Sequence, residues 1–170
     1  MVGVSLPCST ATQVLDAHGA YITPGGIDSH VHLSQFYDAA ISNDHHTICT
    51  DGNVPDPENF TGDTYNKGTR SAIAGGTTTI ISFASQMRAD PDLTTAINEY
   101  HKLAAGKAYC DYAFHVVVTN PTEEILATDL RKMVEDFGIT SVQIYMTHKS
   151  LMLRDYQVLG VIFAARKSHL

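Results

Sequence analysis

Pro24-Gly25-Gly26-Ile27-Asp28-Ser29-His30-Val31-His32 is the stretch whose reading sets the fold. The Pro-Gly-Gly triplet is a turn signal, and residues 27–33 behind it read as a strand. On a strand, residues two apart share a face, so His30 and His32 project side by side with Asp28 on the same face. Two imidazoles at that spacing can reach one metal ion at about 2.0–2.1 Å each. Asp28 is placed to orient one of the rings or to sit behind it. A bare His-x-His also occurs as an ordinary pair on a sheet face, so its surroundings decide its weight.

Downstream the pattern becomes regular. Residues 64–74 predict a helix stopped by Gly75-Gly76, and the β-branched run at 77–84 predicts a strand. A second helix is expected to open with Asp90 as N-cap and Pro91 at its first position, closing near Gly106. Residues 110–119 read as a strand buried on both faces at Val116-Val117-Val118. Asn120-Pro121 opens a third helix with Glu123 and Glu124 in its first turn and a core stripe of Leu126, Leu130, Met133, Val134 and Phe137. Gly138 ends it, and residues 139–146 predict a fourth strand. A last helix is expected from near Asp155, with Val158, Leu159, Ile162 and Phe163 on one face. Upstream of these units, residues 34–62 read as a long polar loop and residues 1–20 as a lead-in.

Strand and helix thus alternate four times, which means right-handed βαβ units and a mainly parallel sheet. A doubly wound sheet and half of a (β/α)8 barrel both fit that order. A complete barrel takes about 250 residues, so the 170 residues present supply about half of one. No G-x-G-x-x-G follows the first strand, which weakens a dinucleotide-binding reading. In a barrel the C-terminal strand ends build the active site, and the His pair falls at such an end.

Composition narrows the function classes. With 44% hydrophobic and 17% charged residues, the chain is apolar enough for one packed domain and too apolar for disorder. No apolar run has the length of a membrane span, and the N-terminus lacks the layout of a signal peptide, so a cytoplasmic location is expected. Three scattered cysteines do not make a disulfide framework. A net charge of −7 argues against a nucleic-acid partner. No Lys or Arg precedes Lys67, while Asp16, Asp28, Asp38, Asp44, Asp51, Asp56, Glu58 and Asp63 do. That is either a solvated acidic stretch or one with an acid near a cation.

Four stretches together resemble the amidohydrolase superfamily, and within it the dihydropyrimidinase and D-hydantoinase family of cyclic amidases. They are 24–32, Ala74-Gly75-Gly76-Thr77-Thr78-Thr79-Ile80, Asp111-Tyr112 through Val118, and Gly138-Ile139-Thr140-Ser141-Val142 onward. The resemblance implies an α/β fold in which 21–170 form the N-terminal portion, about half, of a (β/α)8 barrel. Residues 1–20 would then be the remnant of a family β-sandwich. It further implies zinc-dependent hydrolysis of the C–N bond of dihydropyrimidines or hydantoins by two zinc ions, in a cytoplasmic homo-oligomer, commonly a tetramer. The partner would be a small cyclic amide, with neither nucleic acid nor membrane.

Residue by residue, the resemblance makes His30 and His32 ligands of the more buried zinc. Gln143 stands at the position of a carboxylated lysine that bridges the metals, and His148 at that of a tyrosine that stabilises the tetrahedral intermediate. The remaining ligands would lie beyond Leu170, so the chain is expected to be truncated and impaired. Gln143 is a neutral amide whose nitrogen cannot take up carbon dioxide to form a metal-binding carbamate, and zinc prefers charged or imidazole ligands. A non-catalytic dihydropyrimidinase-related interaction or assembly protein, or a non-functional gene fragment, is the alternative. Elsewhere, His45-His46 is expected in solvent, His115 as a satisfied core or sheet residue, Cys110 unreactive, and Lys149 at the surface.

Overall fold

The computed structural model describes residues 13–36, 60–61, 63–87, 90–146 and 152–170. Strand β1 (Gly26–Val31) is followed by a two-residue antiparallel pair, β2 (Gln35–Phe36) with β3 (Phe60–Thr61). Then come α1 (Tyr65–Ala74), β4 (Thr77–Ser85), α2 (Leu93–Ala104), β5 (Asp111–Val117), α3 (Leu130–Glu135), β6 (Val142–Gln143) and α4 (Asp155–Lys167). Strands β1, β4, β5 and β6 form one parallel sheet in the order β1-β4-β5-β6. Successive strands are joined through helices, and the result is a parallel half-barrel.

The two faces of the sheet have different tasks. Ile80, Ala84, Phe114, Val116 and Val118 meet Leu93, Ile97, Leu103, Leu130, Met133 and Val161 of the helices in one continuous core. Each fully buried Leu, Ile or Met there contributes about 1.5–3 kcal/mol of transfer free energy. The opposite face carries the alternate residues, Phe83 and Ser85 on β4 in register with His115 and Val117 on β5, and Gln143 on β6 in register with Val117. That inner face is where a barrel lumen forms.

The glycine motifs have direct physical causes. A Cβ on Gly25 would lie 2.2 Å from Thr78 Cγ2 and Oγ1 and 2.7 Å from Thr78 Cβ, so only glycine lets the chain enter β1 this close to β4. Gly76 has φ +89°, a left-handed turn between α1 and β4, and its carbonyl accepts from the N–H of Gly26 at 2.9 Å. The Pro-Gly-Gly and Gly-Gly motifs thus pack on each other.

Several expected boundaries move. Helix α1 begins at Tyr65 with Thr64 as its N-cap, and α2 is capped by Asp92, whose Oδ1 accepts from Thr95 N–H, and not by Asp90. Asp90 instead accepts from Met87 N–H at 2.7 Å. The third helix contains a π-helical turn at Ile125–Asp129, which brings Ile125 and Asp129 inward beside Leu130 and Met133. The fourth strand shrinks from 139–146 to Val142–Gln143, with one further bridge between Tyr145 and Met152. Helix α4 buries Val161 and Ala165, while Leu159, Ile162 and Phe163 of the expected inner stripe face outward, Phe163 being 66% exposed. Residues 34–62 are not wholly loop, since they supply the β2–β3 pair.

Candidate functional site

His30 and His32 lie near the end of β1, and the structure brings their rings together as strand alternation requires. The two Nε2 atoms are 3.3 Å apart. A tetrahedral ion with nitrogen ligands at about 2.0–2.1 Å spaces them by about 3.3–3.4 Å, so the pair fits two corners around one cation. Phe83 sets the rings: its centroid is 4.6 Å from each, edge-on to His30 and stacked on His32 at 15°. Phe83 is itself buried, so it forms a fixed apolar floor beneath the pair.

Asp28 does not reach an imidazole through any bond described here. Its Oδ1 accepts from the backbone N–H of His30 at 3.1 Å, orienting the peptide and not the ring. His115 is the satisfied sheet residue that was expected. Its Nε2 is 2.8 Å from the carbonyl oxygen of Ser29, and its Nδ1 bonds the Ser141 hydroxyl. With both nitrogens engaged it is not a metal ligand in this arrangement.

Gln143 shares the inner face but is turned to its own chain, its Nε2 donating to the Ile144 carbonyl at 2.9 Å. That bond leaves only Oε1, a neutral oxygen, to offer a cation. Among the described residues no group of three or more His, Cys, Asp or Glu is placed to hold a metal ion. Among the described residues, the His30 and His32 nitrogens have the spacing of two corners around one ion, and Gln143 offers that face a neutral amide oxygen. His148, Lys149 and His45-His46 lie outside the described residues.

Other chemistry is muted. Burial and the neighbouring Asp111 push the Cys110 thiol up, away from a reactive thiolate. At the C-terminal end of the sheet, just after β4, Gln86 is fully buried and its Oε1 accepts from the N–H groups of both Thr119 and Asn120, each at 3.1 Å. Its backbone carbonyl accepts from Thr119 Oγ1 at 2.9 Å, and its own Nε2 has no partner among the described residues. This residue ties the segment after β4 to the segment after β5. A polar side chain ending a buried strand was the only trace of it in sequence.

The architecture agrees with what known proteins show. A model of the Amidohydrolase family matches residues 21–152. This chain belongs to the amidohydrolase family. It is 36% identical over 155 residues to a D-hydantoinase of Geobacillus stearothermophilus, covering 91% of this chain and 28% of that protein. It is 34% identical over 166 residues to dihydropyrimidinase-related protein 5 of Mus musculus, covering 97% of this chain and 26% of that protein. A crystal structure of a D-hydantoinase superposes with a TM-score of 0.80 at 34% identity, over 99% of this chain and 32% of the other. The chain thus spans under a third of the length of these relatives. The fold is the N-terminal part of an amidohydrolase barrel. No helix among the described residues is long and apolar enough to cross a membrane.

Proposed function

We propose that this chain carries the first-strand part of a cyclic-amide hydrolase site of the D-hydantoinase and dihydropyrimidinase kind, with one divalent ion, zinc in the first instance, on His30 and His32. The observation that carries this is the 3.3 Å separation of the two Nε2 atoms over the Phe83 floor. When bound, the ion would supply a Lewis acid for an amide carbonyl and an acidified water. The chain's own residues hold that position: Phe83 fixes the ring planes, and Asp28 and the β1–β4 pairing fix the strand. Gln143 supports a one-ion centre, because no carbamate can form there to offset the repulsion of two dications.

The substrate class follows from the relatives named above, and a small cyclic amide such as dihydrouracil or hydantoin is the matching probe. The test compares the 170-residue chain with Gln143→Lys in zinc and bicarbonate, following bound metal and the ring-opening absorbance change. The reading expects one ion in the parent chain, a rise toward two in the variant, and slow or undetectable ring opening in the parent. Unchanged metal in a folded variant would refute the role given to Gln143. A second reading, a relative that keeps the fold without hydrolysis, is favoured by Gln143 itself. Metal bound by both chains with ring opening by neither would select it.

A further inference from the structure

We propose that His115 is a positioning residue for the metal-binding imidazoles, holding the peptide that precedes His30 from two strands away. The inference rests on the metal role given to His30 and His32 for its consequence, though not for its geometry. In the sheet order β1-β4-β5-β6, β5 is not a neighbour of β1. Even so, His115 on β5 reaches past β4 to the carbonyl oxygen of Ser29, 2.8 Å from its Nε2.

The location of that contact is informative. The β1–β4 pairing runs Asp28 to Ile80 and then Val31 to Ser82, so β1 holds an extra residue between two paired positions. Such bulges re-aim side chains and loosen the local ladder. The peptide joining Ser29 to His30 lies within this slip, and side chains hold both of its polar atoms. Asp28 Oδ1 takes its N–H at 3.1 Å, and His115 takes its C=O. The plane of that peptide sets the direction in which His30 leaves the strand.

Hydrogen-bond chemistry also fixes the state of His115. A carbonyl oxygen only accepts, so Nε2 carries the proton toward Ser29. In the neutral ring Nδ1 is then the acceptor, and the Ser141 hydroxyl donates to it. The Ser29 carbonyl thus selects the tautomer, and Ser141, from the segment entering β6, completes it by donating to Nδ1. Phe83 packs against His115 at 4.9 Å and against both metal-binding rings at 4.6 Å, so it links all three imidazoles through one apolar contact. Outer partners of this kind typically change metal affinity by about 10–100-fold when removed.

The experiment uses the whole 170-residue chain with three variants, His115→Phe, His115→Gln and Ser141→Ala. Cobalt(II) affinity is read from visible absorption, and ring tautomers from nitrogen-edited NMR of the metal-free protein, with far-UV circular dichroism to establish folding. Phe keeps the ring packing and loses both bonds, so about a tenfold loss of cobalt affinity is expected with the fold intact. Gln restores a donor to Ser29 and should recover most of it, while Ser141→Ala falls between. In the metal-free parent the NMR should show His115 protonated at Nε2, and the His30 ring signals should move in His115→Phe.

Unchanged cobalt affinity in the folded variants overturns the proposal, as does an Nδ1-protonated His115 or an unmoved His30. Should His115→Phe fail to fold, Ser141→Ala carries the same decision. A parent chain that binds no cobalt but shows the expected tautomer and the His30 shift would sink the metal reading of the pair and leave the clamp standing.

Discussion

Asp129 offers the most closely reasoned perturbation of the fold. The π-helical turn brings it to 1% exposure, where Oδ2 accepts from Leu93 N–H at 3.1 Å and Oδ1 meets Lys132 Nζ at 3.1 Å. Leu93 opens α2 and is itself fully buried, so its N–H has no intrahelical partner and no water. Asp129→Ala leaves that donor unpaired, which costs about 1–3 kcal/mol. Thr128 Oγ1, which also donates to the Glu124 carbonyl, loses little. The Lys132 ammonium stays in solvent, where such pairs contribute little. The full cost is then set by the Leu93 donor, about 1–3 kcal/mol, against a total stability of about 5–15 kcal/mol for a domain. Asp129→Asn keeps an acceptor for Leu93 and should cost less than half as much, and Lys132→Ala, which leaves the carboxylate its Leu93 and Thr128 donors, should cost less than Asp129→Ala. Urea unfolding followed by far-UV circular dichroism ranks the three. A Lys132→Ala loss equal to that of Asp129→Ala would refute the reasoning, because it would move the energy from the buried Leu93 N–H to the Lys132 pairing.

Two further predictions concern β4 and its neighbours. Gly25→Ala forces a methyl into Thr78, and since Thr78 Cβ is 2.7 Å away, β1 must shift; a loss of about 1–3 kcal/mol is expected on thermal unfolding. An unchanged melting temperature would contradict it. Tyr65, buried and donating to Ser82 Oγ at 2.9 Å, has its phenol pushed far above the ordinary tyrosine value of 10.0, chiefly by desolvation. Its folded form keeps the proton after the unfolded chain has lost it. Stability from this group is therefore full below about pH 10 and falls as pH rises further, by up to about 1.4 kcal/mol per pH unit. Tyr65→Phe should be less stable at neutral pH and show a shallower alkaline decline; parallel declines would contradict the assignment.

The parallel half-barrel was legible because its units repeat local signals. Thr64 caps α1, Gly75-Gly76 stops it, and Thr77–Ser85 is β-branched where a buried strand must be. The His pair was legible because alternation on a strand is strict. What escaped depends on tertiary context. Nothing local marks a π-helical turn, so the sequence carries no sign that Asp129 turns inward. The stripe on α4 was apolar on both sides, and only packing against the π-helical turn chose Val161 and Ala165 over Leu159 and Phe163. Ile144 and Tyr145 have strand-like chemistry, yet the pairing described beyond Gln143 is a single bridge at Tyr145. His115 was legible as satisfied, but its partners, Ser29 and Ser141, come from 86 and 26 positions away in sequence.

The central claim is that His30 and His32 form the part of a metal centre that Gln143 limits to one ion. Zinc and cobalt stoichiometry by equilibrium dialysis and elemental analysis, on the folded chain and on His30→Ala and His32→Ala, tests it most directly. The account predicts one weakly held ion per chain, lost in both variants. Two ions per parent chain, or one ion that survives either substitution, would contradict it.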